Sequence, residues 1–183
     1  MSSHFRRQLA DYVEYHRDPL NCAMHVVGIV LLFLAAVLPI SAWSITVLGI
    51  QTSVATIAVV PVLIYWFLLD FALGAAILAA AIGLLSTAAI IVSHATTTGM
   101  WSLTALLIAI GIASQIIGHR VFERRQPALL DNPTHLLLGP IFVMAKLFIA
   151  FGFRRDLAII IQERPQSSSS FSQQSQPEPH PPA

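Results

Sequence analysis

Between Ser41 and Gly118 the chain carries one formally charged side chain, Asp70. A soluble fold charges about a quarter of its residues and keeps them at the surface, so this stretch cannot form a water-exposed domain. Lipid tolerates it. Roughly 20 apolar residues in a helix cross about 30 Å of hydrocarbon, and a helix bonds its own backbone where water is absent. Several runs here reach that length. The chain is 56% hydrophobic and 10% charged over 183 residues, more apolar surface than one soluble core of that size encloses. The expected fold class is all-α: a polytopic membrane helical bundle with four transmembrane helices plus a re-entrant or fifth apolar segment.

Charge and cysteine usage exclude other classes. A formal net charge of +1 offers no electrostatic footprint for nucleic acid, so none is expected as a partner. Cys22 is the single cysteine, which rules out an internal disulfide and a thiolate metal cluster. The N-terminal segment is polar and lacks the charged-then-apolar layout of a cleaved signal peptide, so the first hydrophobic segment is expected to stay.

Three regions follow along the chain. Residues 1–20 read as a cytoplasmic amphipathic helix lying on the membrane, with Phe5, Leu9, Tyr12 and Val13 on its apolar side and Pro19 at its end. Residues 21–163 form the membrane domain. Its spans are 22–40, stopped by Pro39, then 54–69 with a kink at Pro61, 71–92 and 100–118. The second and third are almost continuous, and one helix of that length would approach 60 Å at about 1.5 Å per residue. The chain must therefore turn at Asp70. Residues 41–53 read as an interfacial loop and 93–99 as a polar loop. The fifth apolar segment, 136–153, is interrupted by Gly139-Pro140 and by Lys146. Residues 164–183, rich in Pro, Ser and Gln, read as a disordered tail.

Basic residues fall in the N-terminal segment, at 120–125, and from Lys146 to Arg164, and the loops at 41–53 and 93–99 have none. The positive-inside rule then puts the N-terminus and residues 119–135 in the cytoplasm, as four spans require. A crossing fifth segment would carry Arg154 and Arg155 outward, so a re-entrant or surface segment is preferred.

This topology gathers His16, His25, His119 and His135 at one membrane face, with Asp70 and Glu123. His94 lies opposite. The densest polar stretch is 115–132, where His119, Arg120, Glu123, Arg124 and Arg125 end the uncharged run. On one helix, Gln115, His119 and Glu123 are four apart and share a face. Such a stripe is costly to desolvate unless something binds it. Each residue alone has a plain structural role. His25 would be a helix–helix hydrogen-bond partner, His16 a surface residue, His135 a cap, and the arginines topological charges. Together, imidazoles and carboxylates at one depth point to a metal site. Nitrogen and oxygen ligands without thiolate suit iron or zinc. Asp70 is either a helix cap or an acceptor for a ligand histidine's second N–H.

These residues resemble the membrane 2-hydroxy fatty acid dioxygenase family, once catalogued as a domain of unknown function. The match lies in Tyr15-His16, Pro19, Asn21, His25 and Gly28. It continues in Gln115, Gly118-His119, Phe122-Glu123, Arg125, Pro127-Ala128-Leu129, Gly139-Pro140 and Phe142. It covers roughly residues 8–155. Lys146 departs from it, standing where a carboxylate is expected. The resemblance implies an Fe(II)-dependent α-oxidation that shortens a 2-hydroxy fatty acid by one carbon with molecular oxygen. It implies His16, His25, His119 and His135 as metal residues and Glu123, Arg124 and Arg125 as catalytic ones. Asn21, Asp70 and Gln115 would support the ligands, and the acyl tail would lie between the spans. The implied location is a multi-pass membrane protein, in a bacterial inner membrane or endoplasmic reticulum, its site facing the cytoplasm.

Two other classes remain open on sequence alone. One is a small transporter or proton-coupled carrier relaying through His25, Asp70 and His119. It needs polar residues deep in the bilayer, where spans three and four are nearly all Ala, Ile, Leu and Gly. The other is a non-catalytic membrane scaffold whose histidines satisfy helix contacts. Chain length of the substrate and oligomeric state have no signature in the sequence.

Overall fold

A computed structural model describes residues 3–14, 16, 18–124 and 135–162. Its elements are α1 (Ser3–Glu14), α2 (Pro19–Ser41), β1 (Ser44–Val47), β2 (Ile50–Ser53), α3 (Val54–Leu69), α4 (Phe71–His94) and α5 (Thr97–Ile117). A π-helical turn, Gly118–Glu123, extends α5, and α6 (His135–Ala150) and α7 (Arg155–Gln162) follow. Apart from one small hairpin, the described residues bear out a helical bundle.

The entry into the bundle differs from expectation. Pro19 opens α2 and does not close α1, which already ends at Glu14. Asp18 caps α2, accepting from the amides of Leu20 and Asn21, and proline suits the first turn because its missing N–H has no partner there anyway. The apolar side of α1 is turned into protein and not onto lipid. Phe5, Leu9, Tyr12 and Val13 are buried in one cluster with Leu138, Ile141 and Phe142 of α6 and Leu157 of α7.

Among the described residues, three helices are long and apolar enough to cross a bilayer: α2, α4, and α5 with its π turn. Helices α3 and α6 are apolar but have 16 residues each, a rise of about 24 Å. Asp70 is the turn between α3 and α4, extended at φ −156°, and its side chain accepts from the Leu73 amide at 3.1 Å to cap α4. The segment expected as a polar loop at 93–99 is mostly helix. Only Ala95 and Thr96 separate α4 from α5, and Thr96 caps α5 through the Gly99 amide. Residues 41–53 form no simple loop either: β1 and β2 pair antiparallel around Leu48-Gly49, both at positive φ.

Short connections make sequential helices antiparallel. The beginnings of α2 and α4 and the ends of α3 and α5 therefore share one end of the bundle. Arg154, just past α6, reaches that same end, where it bonds Asp70. Between α2, α3, α4 and α6 lies an apolar cavity of about 270 Å³, lined among others by Ile29, Phe33, Val62, Ile77, Leu84 and Met144.

Candidate metal centre

The site forms where α2 begins and α5 ends. Glycines let these two helices approach. A Cβ on Gly28 would run into the Gln115 side-chain nitrogen and come within 3.0 Å of the Gly111 carbonyl. A Cβ on Gly118 would run into Asn21 Oδ1. Small residues at such crossings are how helices without a hydrophobic drive between them pack closely. Gln115 then donates from Nε2 to the His25 carbonyl at 3.2 Å, tying the His25-bearing turn of α2 to α5.

Beyond Ile117 the α-helix widens. The Arg124 amide bonds back to the His119 carbonyl, five residues earlier, and Arg124 itself turns left-handed at φ 54°. One-turn π segments of this kind recur at functional sites. Here the widened turn carries His119, buried to 2% exposure, to the face of α2.

Three imidazoles meet there. His16, also 2% exposed, sits between α1 and α2, and its ring centroid is 4.2 Å from that of His25 and 4.9 Å from that of His119. The His25 and His119 centroids are 5.5 Å apart. One ring atom from each of the three lies within 4.8 Å of the others, close enough to share an ion.

Tyr12 backs this cluster. Its ring stacks on His16 at 4.2 Å and 9°, and Phe142 closes the other edge at 4.9 Å from Tyr12 and 5.5 Å from His16. The Tyr12 carbonyl accepts from His16 Nδ1 at 2.9 Å, and the Tyr12 hydroxyl is 2.5 Å from His25 Nε2. Burial, and secondarily Cys22, push the Tyr12 phenol well above its usual range, so it remains a neutral hydroxyl.

The donor set fits a metal ion of intermediate softness. With Nδ1 of His16 donating to a carbonyl, its Nε2 carries the lone pair. His25 Nδ1 is buried and has no hydrogen-bond partner among the described residues. Leaving such an atom unmet costs about 1–3 kcal/mol, which a metal bond would more than offset. Imidazole nitrogen suits iron and zinc alike.

The other expected residues fall in different places. Asn21 is fully buried against Gly118, beside the site, and Gln115 holds the His25 backbone. Asp70 is away from the imidazoles: Arg154 and the Leu73 amide are its hydrogen-bond partners. Arg124 is exposed at the end of the π turn. The side chains of Glu123 and His135, and all of Arg125, lie outside the described residues. Lys146 approaches the site from α6, its Nζ 3.2 Å from Cys22 Sγ and 5.2 Å from the Phe142 ring centre. In the sequence Tyr12 reads only as part of the apolar side of α1.

A family model described as 2-hydroxy-palmitic acid dioxygenase Mpo1-like matches residues 2–151. The chain belongs to the Mpo1-like family. The Saccharomyces cerevisiae protein named 2-hydroxy-palmitic acid dioxygenase MPO1 is 33% identical over 149 residues, which is 81% of this chain and 82% of the relative. No solved structure matches the chain. All three clustered imidazoles and Tyr12 fall inside the Mpo1-like match, as does Lys146. The resemblance read from the two histidine-bearing blocks is thus the family the comparisons find.

Proposed function

We propose that the chain is an iron(II)-dependent membrane dioxygenase that converts a 2-hydroxy fatty acid to the fatty acid one carbon shorter. Atoms balance with one O₂ consumed: the hydroxyl-bearing carbon becomes the new carboxyl, and the old carboxyl leaves as carbon dioxide with one water formed. The observation that carries this reading is the buried meeting of His16, His25 and His119 in a chain of the Mpo1-like family.

His16, His25 and His119 would hold the ion. Bound iron would supply open positions for the substrate's hydroxyl, one carboxylate oxygen and O₂. The protein's own groups do the rest. Glu123 joins the ligands or orients His119, and Arg124 or Arg125 steadies the free carboxylate oxygen by a charge-assisted pair. The apolar cavity beside Ile29, one helical turn beyond His25, takes the acyl tail. Substrate therefore arrives from the bilayer, with the headgroup end at the cytoplasmic face.

The carrier reading finds no such support. A relay through His25, Asp70 and His119 needs the carboxylate in line with the rings, and Asp70 is engaged by Arg154. The deciding experiment is metal analysis of detergent-purified protein, followed by incubation with 2-hydroxypalmitate labelled with ¹³C at C1. Bound iron, pentadecanoate and labelled carbon dioxide are expected. An iron-loaded protein that leaves 2-hydroxy acids of every chain length untouched would overturn the assignment.

A further inference from the structure

We propose that Tyr12 is the positioning residue of the metal centre, setting the tautomers of two of its three imidazoles at once. This rests on the metal reading of the site. A ligand histidine coordinates through one nitrogen and needs an acceptor for the N–H of the other, which fixes both tautomer and ring direction. Tyr12 presents two acceptors from a single residue. Its backbone carbonyl meets Nδ1 of His16 at 2.9 Å, and its hydroxyl oxygen meets Nε2 of His25 at 2.5 Å. The consequence is that His16 offers Nε2 to an ion and His25 offers Nδ1, the buried atom without a partner among the described residues.

The two histidines come from different segments, one ahead of α2 and one within it, so nothing local in the chain fixes their relative angle. The Tyr12 ring does so by stacking on His16 at 9° while its hydroxyl holds the edge of His25. Two neutral oxygens of one tyrosine, a backbone carbonyl and a hydroxyl, thereby do the orienting work that carboxylates perform in many metal sites. Burial keeps the arrangement dry: Tyr12 is 1% exposed, and Phe142 and Gly139 of α6 close over it.

Tyr12→Phe tests this because it keeps the ring and the carbonyl and deletes only the acceptor for His25. In metal-stripped, detergent-solubilised protein titrated with Co(II), the variant should bind about 10–100-fold more weakly than wild type. In Zn(II)-loaded protein with ¹⁵N-labelled histidine, wild type should show slowly exchanging protons on His25 Nε2 and His16 Nδ1. Tyr12→Phe should lose the first and keep the second. A general packing defect would not separate the two rings in this way. Unchanged Co(II) affinity, or a His25 Nε2 proton that persists in the variant, would overturn the role of Tyr12. Wild-type protein that takes up neither metal would overturn the metal reading and this inference with it.

Discussion

Asp70 and Arg154, 84 positions apart in the chain, are joined by two parallel hydrogen bonds, Nη1 to Oδ1 at 2.9 Å and Nη2 to Oδ2 at 3.0 Å. Arg154 also pairs with Asp156, so one guanidinium serves two carboxylates. The clasp fixes the chain that follows α6 to the α3–α4 turn, and with it the helix that carries Phe142 over the histidines.

That clasp sets an acid limit on stability. Burial alone would raise the Asp70 pKa, but the bonds from Arg154 and the Leu73 amide outweigh it and hold the carboxyl below the ordinary range. A folded pKa below the unfolded value of about 3.9 means stability that is present above it and lost as pH falls through the folded pKa. The unfolding midpoint should therefore drop on acidification below about pH 4. Asp70→Asn should cost about 1.5–3 kcal/mol at neutral pH and show a shallower acid dependence. Thermal unfolding in detergent across pH measures both, and an equally steep Asn variant would speak against the clasp.

How much of this was legible in the sequence depends on what each feature needed. The Asp70 turn was legible because a lone charge between two apolar runs has nowhere else to go. The meeting of His16, His25 and His119 followed from antiparallel alternation of spans, which needs only segment counting. Tyr12 was not legible, because a tyrosine on an apolar face gives no sign of where its hydroxyl ends up. The β1–β2 hairpin was hidden by Leu48, which sits at φ 52° where Asn or Asp usually announces such a turn. Pro19 is ambiguous in the sequence because proline ends one helix and begins the next with equal ease, and in the structure it begins α2. Only Asp18 just before it, a capping residue, tips the balance.

Close approach of α2 and α5 should be as strict as the geometry suggests. Gly28→Ala places a methyl against the Gln115 side chain and 3.0 Å from the Gly111 carbonyl. Overpacking of this kind costs about 1–3 kcal/mol. It should also push Gln115 off the His25 carbonyl and lower metal occupancy. Gly83→Ala is the control, since nothing lies within 4 Å of the added carbon. It should be neutral or stabilising by up to about 1 kcal/mol. Equal losses in both variants would mean that helix propensity, not the α2–α5 contact, is being measured.

Removing an imidazole should act on metal and turnover together. His25→Ala and His119→Ala are each expected to purify with little iron and to lose activity at least about 100-fold, the scale on which even supporting residues act. His94→Ala, at the far end of α4, should change neither. Iron content by elemental analysis alongside product formation separates loss of the ion from loss of chemistry. A His119→Ala protein with full iron would remove that residue from the ligand set.

The arginines make a different prediction because they would act on substrate and not on the ion. Arg124 is exposed at the end of the π turn, and a 2-hydroxy acid entering from the headgroup region would meet this basic stretch first. A charge-assisted hydrogen bond to a carboxylate is worth about 1.5–3 kcal/mol, or some 10–150-fold in binding. Of Arg124→Ala and Arg125→Ala, one should raise KM for the 2-hydroxy acid by that factor while iron content stays at the wild-type level. The lysine variant at the same position should recover only part of the loss, because an ammonium cannot reproduce the two-pronged grip of guanidinium. Steady-state kinetics on 2-hydroxypalmitate in mixed micelles would show it. If both alanine variants kept KM and iron content unchanged, the arginines would serve orientation in the membrane alone, and the carboxylate would have to be held by another cation, with Lys146 next in line.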